Sequence, residues 1–278
     1  MSFTVPTIEW AGLAPVLIIL GAGVLGVLVE ALVPRAGRLY TQVVLSVLAV
    51  LGAGVAFVMR WTQVLPQDAS TGQVVPSGSV LTPGISEDPF GVAAQGIMLV
   101  IGLLSVLIMA DRTTAGDGAF AAQAADRPGS AEETESLHHG WTTTEVFPLT
   151  MFSLAGMMLF PMVNDFIALF VVLELISLPL YIMAATARHR RLLSQESALK
   201  YFVLGAFASA FLLLGSALLY GLSGSVSYTS IATRLAAGGG ADVIDMDWLG
   251  LAGVALVTVG LLFKTAAAPF HAWSPDVY

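Results

Sequence analysis

Residues 260–278 read GLLFKTAAAPFHAWSPDVY, an apolar run with a lysine, Lys264, five positions ahead of a proline, Pro269. In a water-soluble domain such a lysine turns to solvent. In a membrane span both residues are costly, because a buried ammonium needs a partner and a proline removes a helical donor. Pro269 cannot donate to the carbonyl of Thr265, so the helix is expected to kink or unwind there and leave an acceptor free. The polar run behind it, with His271, Ser274 and Asp276, can stand at membrane depth only beside other protein or water. A broken helix beside a buried ionisable side chain is how ion-translocating folds place charge at the midplane.

The composition supports the membrane setting. Of 278 residues, 56% are hydrophobic and 11% charged, with a mean hydropathy of +0.85. These values lie well outside the range of soluble domains. The absence of cysteine excludes disulfides, thiolate zinc sites and cysteine-ligated iron–sulfur clusters in this chain, so any redox chemistry it serves runs elsewhere. The net charge of -8 arises largely in loops such as AEETE and ADVIDMD, and no nucleic-acid partner is expected. The first apolar run has no basic region before it and no small-residue cleavage signal, which reads as a retained first helix.

Hydropathy predicts an all-α, polytopic bundle with seven spans, at about 11–33, 40–60, 90–110, 145–162, 165–187, 196–222 and 249–267, the last continuing past a break at Pro269. The segments 62–88 and 111–144 are rich in Gly, Pro, Ser, Asp and Glu and read as polar loops. Three parts follow: a three-helix segment over 1–110, the polar loop 111–144, and a helical repeat over 145–278. Arg35, Arg38, Arg112, Arg127, Arg188, Arg190 and Arg191 fall in alternate loops, which by the positive-inside rule puts the N-terminus outside and 188–195 in the cytoplasm. The only lysines, Lys200 and Lys264, both fall within predicted spans.

Glu174, in FVVLELISLPLY, lies nine residues into a span that starts near Asp165, roughly 13 Å deep. A carboxylate there cannot snorkel to water and is expected to pair with a buried group or to line a water path. Lys200 sits about one turn inside the next span. Its stem could carry the ammonium to the surface, but Gly205, Ser209 and Ala210 follow in a spacing that favours close helix contact, and a buried Lys200 would pair naturally with Glu174. Pro179 follows Glu174 at the same offset as Pro269 follows Lys264. His138 and His139, in a polar loop without spaced ligands, read as solvated, and Glu30 reads as an interfacial partner of Arg35. A lysine taken into a low-dielectric interior loses proton affinity and a nearby carboxylate restores it, so Glu174, Lys200 and Lys264 together form a candidate proton relay.

The segments LELISLPLYIMAA, ESALKYFVLGAFASAFLLLGSALLYG and GLLFKTAAAPFHAWSPDVY resemble the antiporter-like membrane subunits of bacterial NADH-quinone oxidoreductase, respiratory complex I, and most of all its subunit N family. The resemblance is close over 145–278, and LKYFVLGAFASA and PDVY separate it from the related L and M subunits. It implies half of an inverted-repeat fold in which Glu174, Lys200 and Lys264 match the charged residues of the fifth, sixth and broken seventh helices. His271 would then border a water path. It further implies a bacterial inner membrane location, other membrane subunits and the lipid bilayer as partners, and NADH, FMN, iron–sulfur clusters and quinone in partner subunits, with no cofactor or metal in this chain. Such subunits usually run to about fourteen helices, whereas this chain stops inside the seventh-helix motif, so it is expected to correspond to the N-terminal half of such a subunit, with its repeat incomplete at the C-terminal end. Two other readings share these residues: a subunit of a multisubunit cation/proton antiporter, and a structural membrane subunit whose charges only hold helices together.

Overall fold

The computed structural model describes residues 8–64, 79–111, 120–123, 126–139, 143–187, 191–238 and 248–277. All seven predicted spans are helices: α1 (Trp10–Leu32), α2 (Arg35–Val64), α3 (Pro89–Ala110), α5 (Val146–Leu159), α6 (Phe166–Thr186), α7 (Arg191–Ser223) and α9 (Trp248–Lys264). Of these, α1, α2, α3, α6 and α7 are long and apolar enough to cross a membrane, while α9 and α5 with its 3-10 extension Phe160–Met162 are shorter apolar helices. The chain is therefore an all-α, multi-pass membrane bundle. The elements α2 and α7 begin about five residues before their predicted starts, because helices extend past the hydrocarbon boundary where hydropathy ends.

Four smaller elements lie between the spans: the strands β1 (Ser79–Thr82) and β2 (Ile85–Glu87), and the helices α4 (Ala131–His138) and α8 (Tyr228–Gly238); the short α10 (Ser274–Val277) ends the described chain. The strands pair antiparallel around Pro83 and Gly84, and Gly84 takes φ 83° as the second central residue of a type II turn requires. The helix α4 rises in the loop 111–144 on a capping box: the Glu133 amide donates to Ser130 Oγ at 3.3 Å, and Glu133 Oε2 accepts from the Gly129 amide at 2.6 Å. The Arg188 and Arg190 positions lie outside the described residues. Glu30 takes Arg38 at 3.6 Å and accepts from Gln42 Nε2 at 2.7 Å.

Two cores form. The helices α1, α2, α3 and α5 bury Ile19, Ala53, Val106, Phe147, Ala155 and Met158 among themselves. The helices α6, α7, α8 and α9 enclose Leu169, Leu212, Leu219, Ile231 and Val257. Packing of α5 on α6 joins them, and Gly156 sets their separation: a Cβ there would lie 3.0 Å from the Ile176 amide nitrogen. The hairpin ties one end of the bundle together, since Leu81 O accepts from the Glu9 amide at 2.9 Å and Gly84 O from the Asn164 amide at 2.8 Å. Glu87, 1% exposed, fastens it to α2 by accepting from Arg60 Nε at 2.8 and 2.9 Å.

The tightest contact is between the antiparallel helices α7 and α9. A Cβ at Gly215 would stand 2.7 Å from the Val257 amide nitrogen, and one at Gly260 would stand 2.9 Å from Ala208 O. Lipid gives helices no hydrophobic reason to associate, so small residues that let backbones approach supply the attraction by dispersion.

Two outcomes follow for thermal unfolding in detergent. Gly260→Val should destabilise by about 1–3 kcal/mol, because it pushes against backbone atoms that cannot turn aside. Arg60→Ala, which strands the Glu87 carboxylate, should cost about 3–5 kcal/mol, and the double change Arg60→Met/Glu87→Leu should recover most of that loss.

Candidate functional site

The site begins where α9 ends. The helix stops at Lys264 with a pair of crossed bonds: the Ala267 amide donates to Leu262 O at 3.0 Å and the Ala266 amide to Phe263 O at 3.1 Å. Ala266 has φ 52°, the left-handed conformation that such a terminus needs and that usually selects glycine. Trp273 adds a donor, its indole Nε1 reaching the Phe263 carbonyl at 3.1 Å. The break thus falls at Lys264 itself, ahead of the predicted break at Pro269. Donors from the turn replace those that a continuing helix would have supplied.

The break points the lysine at α6. Lys264 Nζ donates to Glu174 Oε1 at 3.3 Å and to Ser177 Oγ at 3.0 Å, and Ser177 Oγ donates in turn to the Leu173 carbonyl at 2.7 Å. Ser209 of α7 donates its hydroxyl to the same carboxylate oxygen. Three helices therefore meet on one ion pair, whose side chains are only 13% and 20% exposed. At an effective dielectric near 20 their attraction is roughly 5 kcal/mol. Desolvation costs several kcal/mol for each ion and offsets that attraction, so the pair stabilises the fold little in net terms.

Beside the pair lies a cavity of about 240 Å³, bordered by Ser177, Tyr201, Gly205, Lys264 and Trp273. Trp273, 6% exposed, stacks on Tyr201 at 4.7 Å and 8°. Beyond that stack Lys200 bonds to Asp276 of α10 at 2.8 Å and to Glu196 of its own helix at 2.8 Å.

Lys264 and Glu174 are thus brought together, but Lys200 is not brought to them. It lies nine residues along α7 from Ser209, roughly 13 Å, with its side chain 46% exposed, so the expected pairing with Glu174 is corrected: the carboxylate takes Lys264 and Ser209 instead. Of the small residues on α7, Gly205, Ala208 and Ser209 turn inward and Ala210 is exposed. His271 and Pro269 lie on the exposed turn, and Trp273 occupies the cavity wall in place of His271. Pro179 sits buried inside an α6 that runs unbroken through it. His138 is exposed in the last turn of α4, and His139 stands 3.7 Å from Glu135.

Ser177, Ser209, Tyr201 and Trp273 were not foreseen as site residues. One signal was available, since Ser177 and Tyr181 follow Glu174 at i+3 and i+7, the spacing of a single helix face. Among the described residues no cluster of three or more His, Asp or Glu side chains is placed to hold a metal ion.

Comparison with known proteins agrees with this geometry. The model of the family described as NADH:quinone oxidoreductase/Mrp antiporter, transmembrane, matches residues 163–278, from the start of α6 through the broken helix. NADH-quinone oxidoreductase subunit N of Beutenbergia cavernae is 47% identical over 284 aligned residues, covering 100% of this chain and 51% of that protein. Subunit N of Mycobacteroides abscessus is 48% identical, covering 98% of this chain and 50% of that protein. Among solved structures, respiratory complex I from Thermus thermophilus contains a chain that superposes with a TM-score of 0.63 at 27% identity, over 95% of this chain and 47% of that one. The chain spans about half the length of the curated relatives it matches, and it belongs to the family of antiporter-like membrane subunits that includes NADH-quinone oxidoreductase subunit N.

Proposed function

We propose that the chain forms part of a proton-translocating membrane subunit of an NADH:quinone oxidoreductase in a bacterial inner membrane. The observation that carries this reading is the Lys264–Glu174 pair, held at a helix break and bordering a cavity. Residues 145–278 are the translocating repeat, packed on the helices of 1–110. The N-terminus faces outward and 188–195 faces the cytoplasm. Neighbouring membrane subunits complete the assembly, and partner subunits hold NADH, FMN, iron–sulfur clusters and quinone, where electron transfer supplies the energy.

The chemistry of this chain is proton binding and release at Lys264 Nζ. With Glu174 in place, the carboxylate and the Ser177 hydroxyl stabilise the ammonium. When Glu174 is drawn away, the ammonium stands in a low-dielectric site with one neutral partner, and a proton leaves Nζ for the cavity. Return of the carboxylate restores the charged form, completing one cycle. Ser209 holds the carboxylate in its paired position, and Lys200 with Asp276 marks the cytoplasmic end of the same route.

The test is proton uptake measured together with NADH:quinone electron transfer in inverted membrane vesicles carrying Lys264→Ala in the full-length subunit. Uptake should fall by at least about tenfold in a complex that still assembles. If assembly suffers from the stranded Glu174, adding Glu174→Gln should restore assembly and leave uptake low. Uptake at the unaltered stoichiometry would end the reading and leave the pair as helix-packing chemistry. Uptake that requires sodium would move it to cation/proton exchange.

A further inference from the structure

We infer that Trp273 is a lid on the cytoplasmic end of the Lys264 cavity, latched by the Lys200–Asp276 pair; the inference rests on the reading of Lys264 and of the cytoplasmic side given above. Along α7 the cavity of about 240 Å³ is bordered by Ala208, Gly205 and Tyr201. From Ala208 to Tyr201 is seven residues, roughly 10 Å, toward the end of α7 where Lys200 stands. Trp273 lies flat on Tyr201 at 4.7 Å and 8°, so the two rings stand between Lys264 and the Lys200–Asp276 pair.

The segment that carries the ring is held at few points. Within residues 265–277 only Trp273 is buried, and the others are half-buried or exposed. Two ties join this segment to α7: the stacked rings, and the 2.8 Å bond from Lys200 Nζ to Asp276 Oδ2, whose side chains are 46% and 43% exposed. Segments with so few buried contacts lie at the low-stability end of a fold, from which lids over reactive sites are drawn. Release of the ring breaks one hydrogen bond, from the indole to the Phe263 carbonyl, and that carbonyl keeps the Ala266 amide at 3.1 Å. The end of α9 therefore stays capped while the ring swings. Release of the latch strands no charge on α7 either, since Lys200 Nζ also holds Glu196 at 2.8 Å.

Closed, the lid keeps cytoplasmic water away from the Lys264–Glu174 pair and preserves the low dielectric in which that pair works. Open, it joins Lys264 Nζ to the water beside Lys200 and Asp276, where a proton can be exchanged. A lid hooked to an exposed ion pair opens more often when that pair is broken. Two rings packed only for their bulk do not respond to a charge outside the cavity.

The test uses the absence of cysteine from residues 1–278. Ser177→Cys, a near-isosteric change, puts a thiol in the cavity beside Lys264. In inverted vesicles with the full-length subunit in the assembled complex, its labelling is read by mass spectrometry of the peptide that holds residue 177. Two membrane-impermeant reagents are used, the anion sulfonatoethyl methanethiosulfonate and the cation trimethylammonioethyl methanethiosulfonate. Adding Trp273→Ala should speed both by at least about tenfold. Removing a ring enlarges any cavity, so the diagnostic change is Asp276→Asn, which leaves the cavity lining as it is. It should speed both reagents by about two- to fivefold, the range that an exposed pair supports. Loss of a negative charge by itself would speed the anion and slow the cation, and that pattern, or no change, would overturn the lid. If Trp273→Ala fails to assemble, Asp276→Asn decides alone. Labelling does not use the charge on Lys264, so a failed lid leaves the proposed function standing. Proton uptake left intact by Lys264→Ala would end that function, and the lid's place on a proton route with it.

Discussion

An ammonium buried within a membrane bundle must be met by something, and most of this structure follows from how Lys264 is met. The helix α9 stops at that residue, and the turn after it substitutes Ala266, Ala267 and Trp273 for the donors of the missing turn. Glu174 comes from the centre of α6, supported by the Ser209 hydroxyl of α7, while the Ser177 hydroxyl of α6 accepts from Lys264 itself. An ion pair of this kind stabilises little in net terms, because desolvation offsets its attraction. Its value lies in that offset, because the charged form of Lys264 is favoured only while Glu174 stays beside it.

Such sensitivity needs a rigid frame. The contacts of Gly215 and Gly260 with backbone atoms of the opposing helix leave α7 and α9 no room to slide, and Gly156 does the same for α5 against α6. At the other end of the bundle the hairpin and the Arg60–Glu87 clamp fix the ends of α1, α2 and α6 relative to one another. The four-helix core around Phe147 and the core around Leu212 thus act as two supports joined through α5 and α6, with the ion pair standing in the second.

The spans, the all-helical class and the two deep charges were legible in the sequence, because hydrocarbon thickness and charge burial each leave a strong one-dimensional signal. The partners of those charges were not. Lys200 and Lys264 are both lysines within apolar runs, and the choice of which meets Glu174 depends on the rotation and crossing of three helices, which spacing along a single helix does not encode. His271 and Trp273 sit two residues apart in the turn, and only the path of the chain after the break decides that the indole faces inward. The hairpin and α4 were hidden for another reason: both lie in segments whose composition reads as loop, although the Pro83–Gly84 turn and the Ser130–Glu133 capping box were present as local signals.

The same frame says where movement can occur. With α7 and α9 locked backbone to backbone, the separation of Ser209 on α7 from Lys264 on α9 cannot change by relative motion of those helices. What remains free is the placement of Glu174 on α6 and the segment after Lys264, which is held to α7 by the stacking of Trp273 on Tyr201 and by the bond from Lys200 to Asp276. The second of these is exposed and screened, hence weak, whereas the first is buried. Loosening of the segment therefore starts at Asp276 and must reach Trp273 before it alters the support of the Phe263 carbonyl and, one residue on, the aim of Lys264.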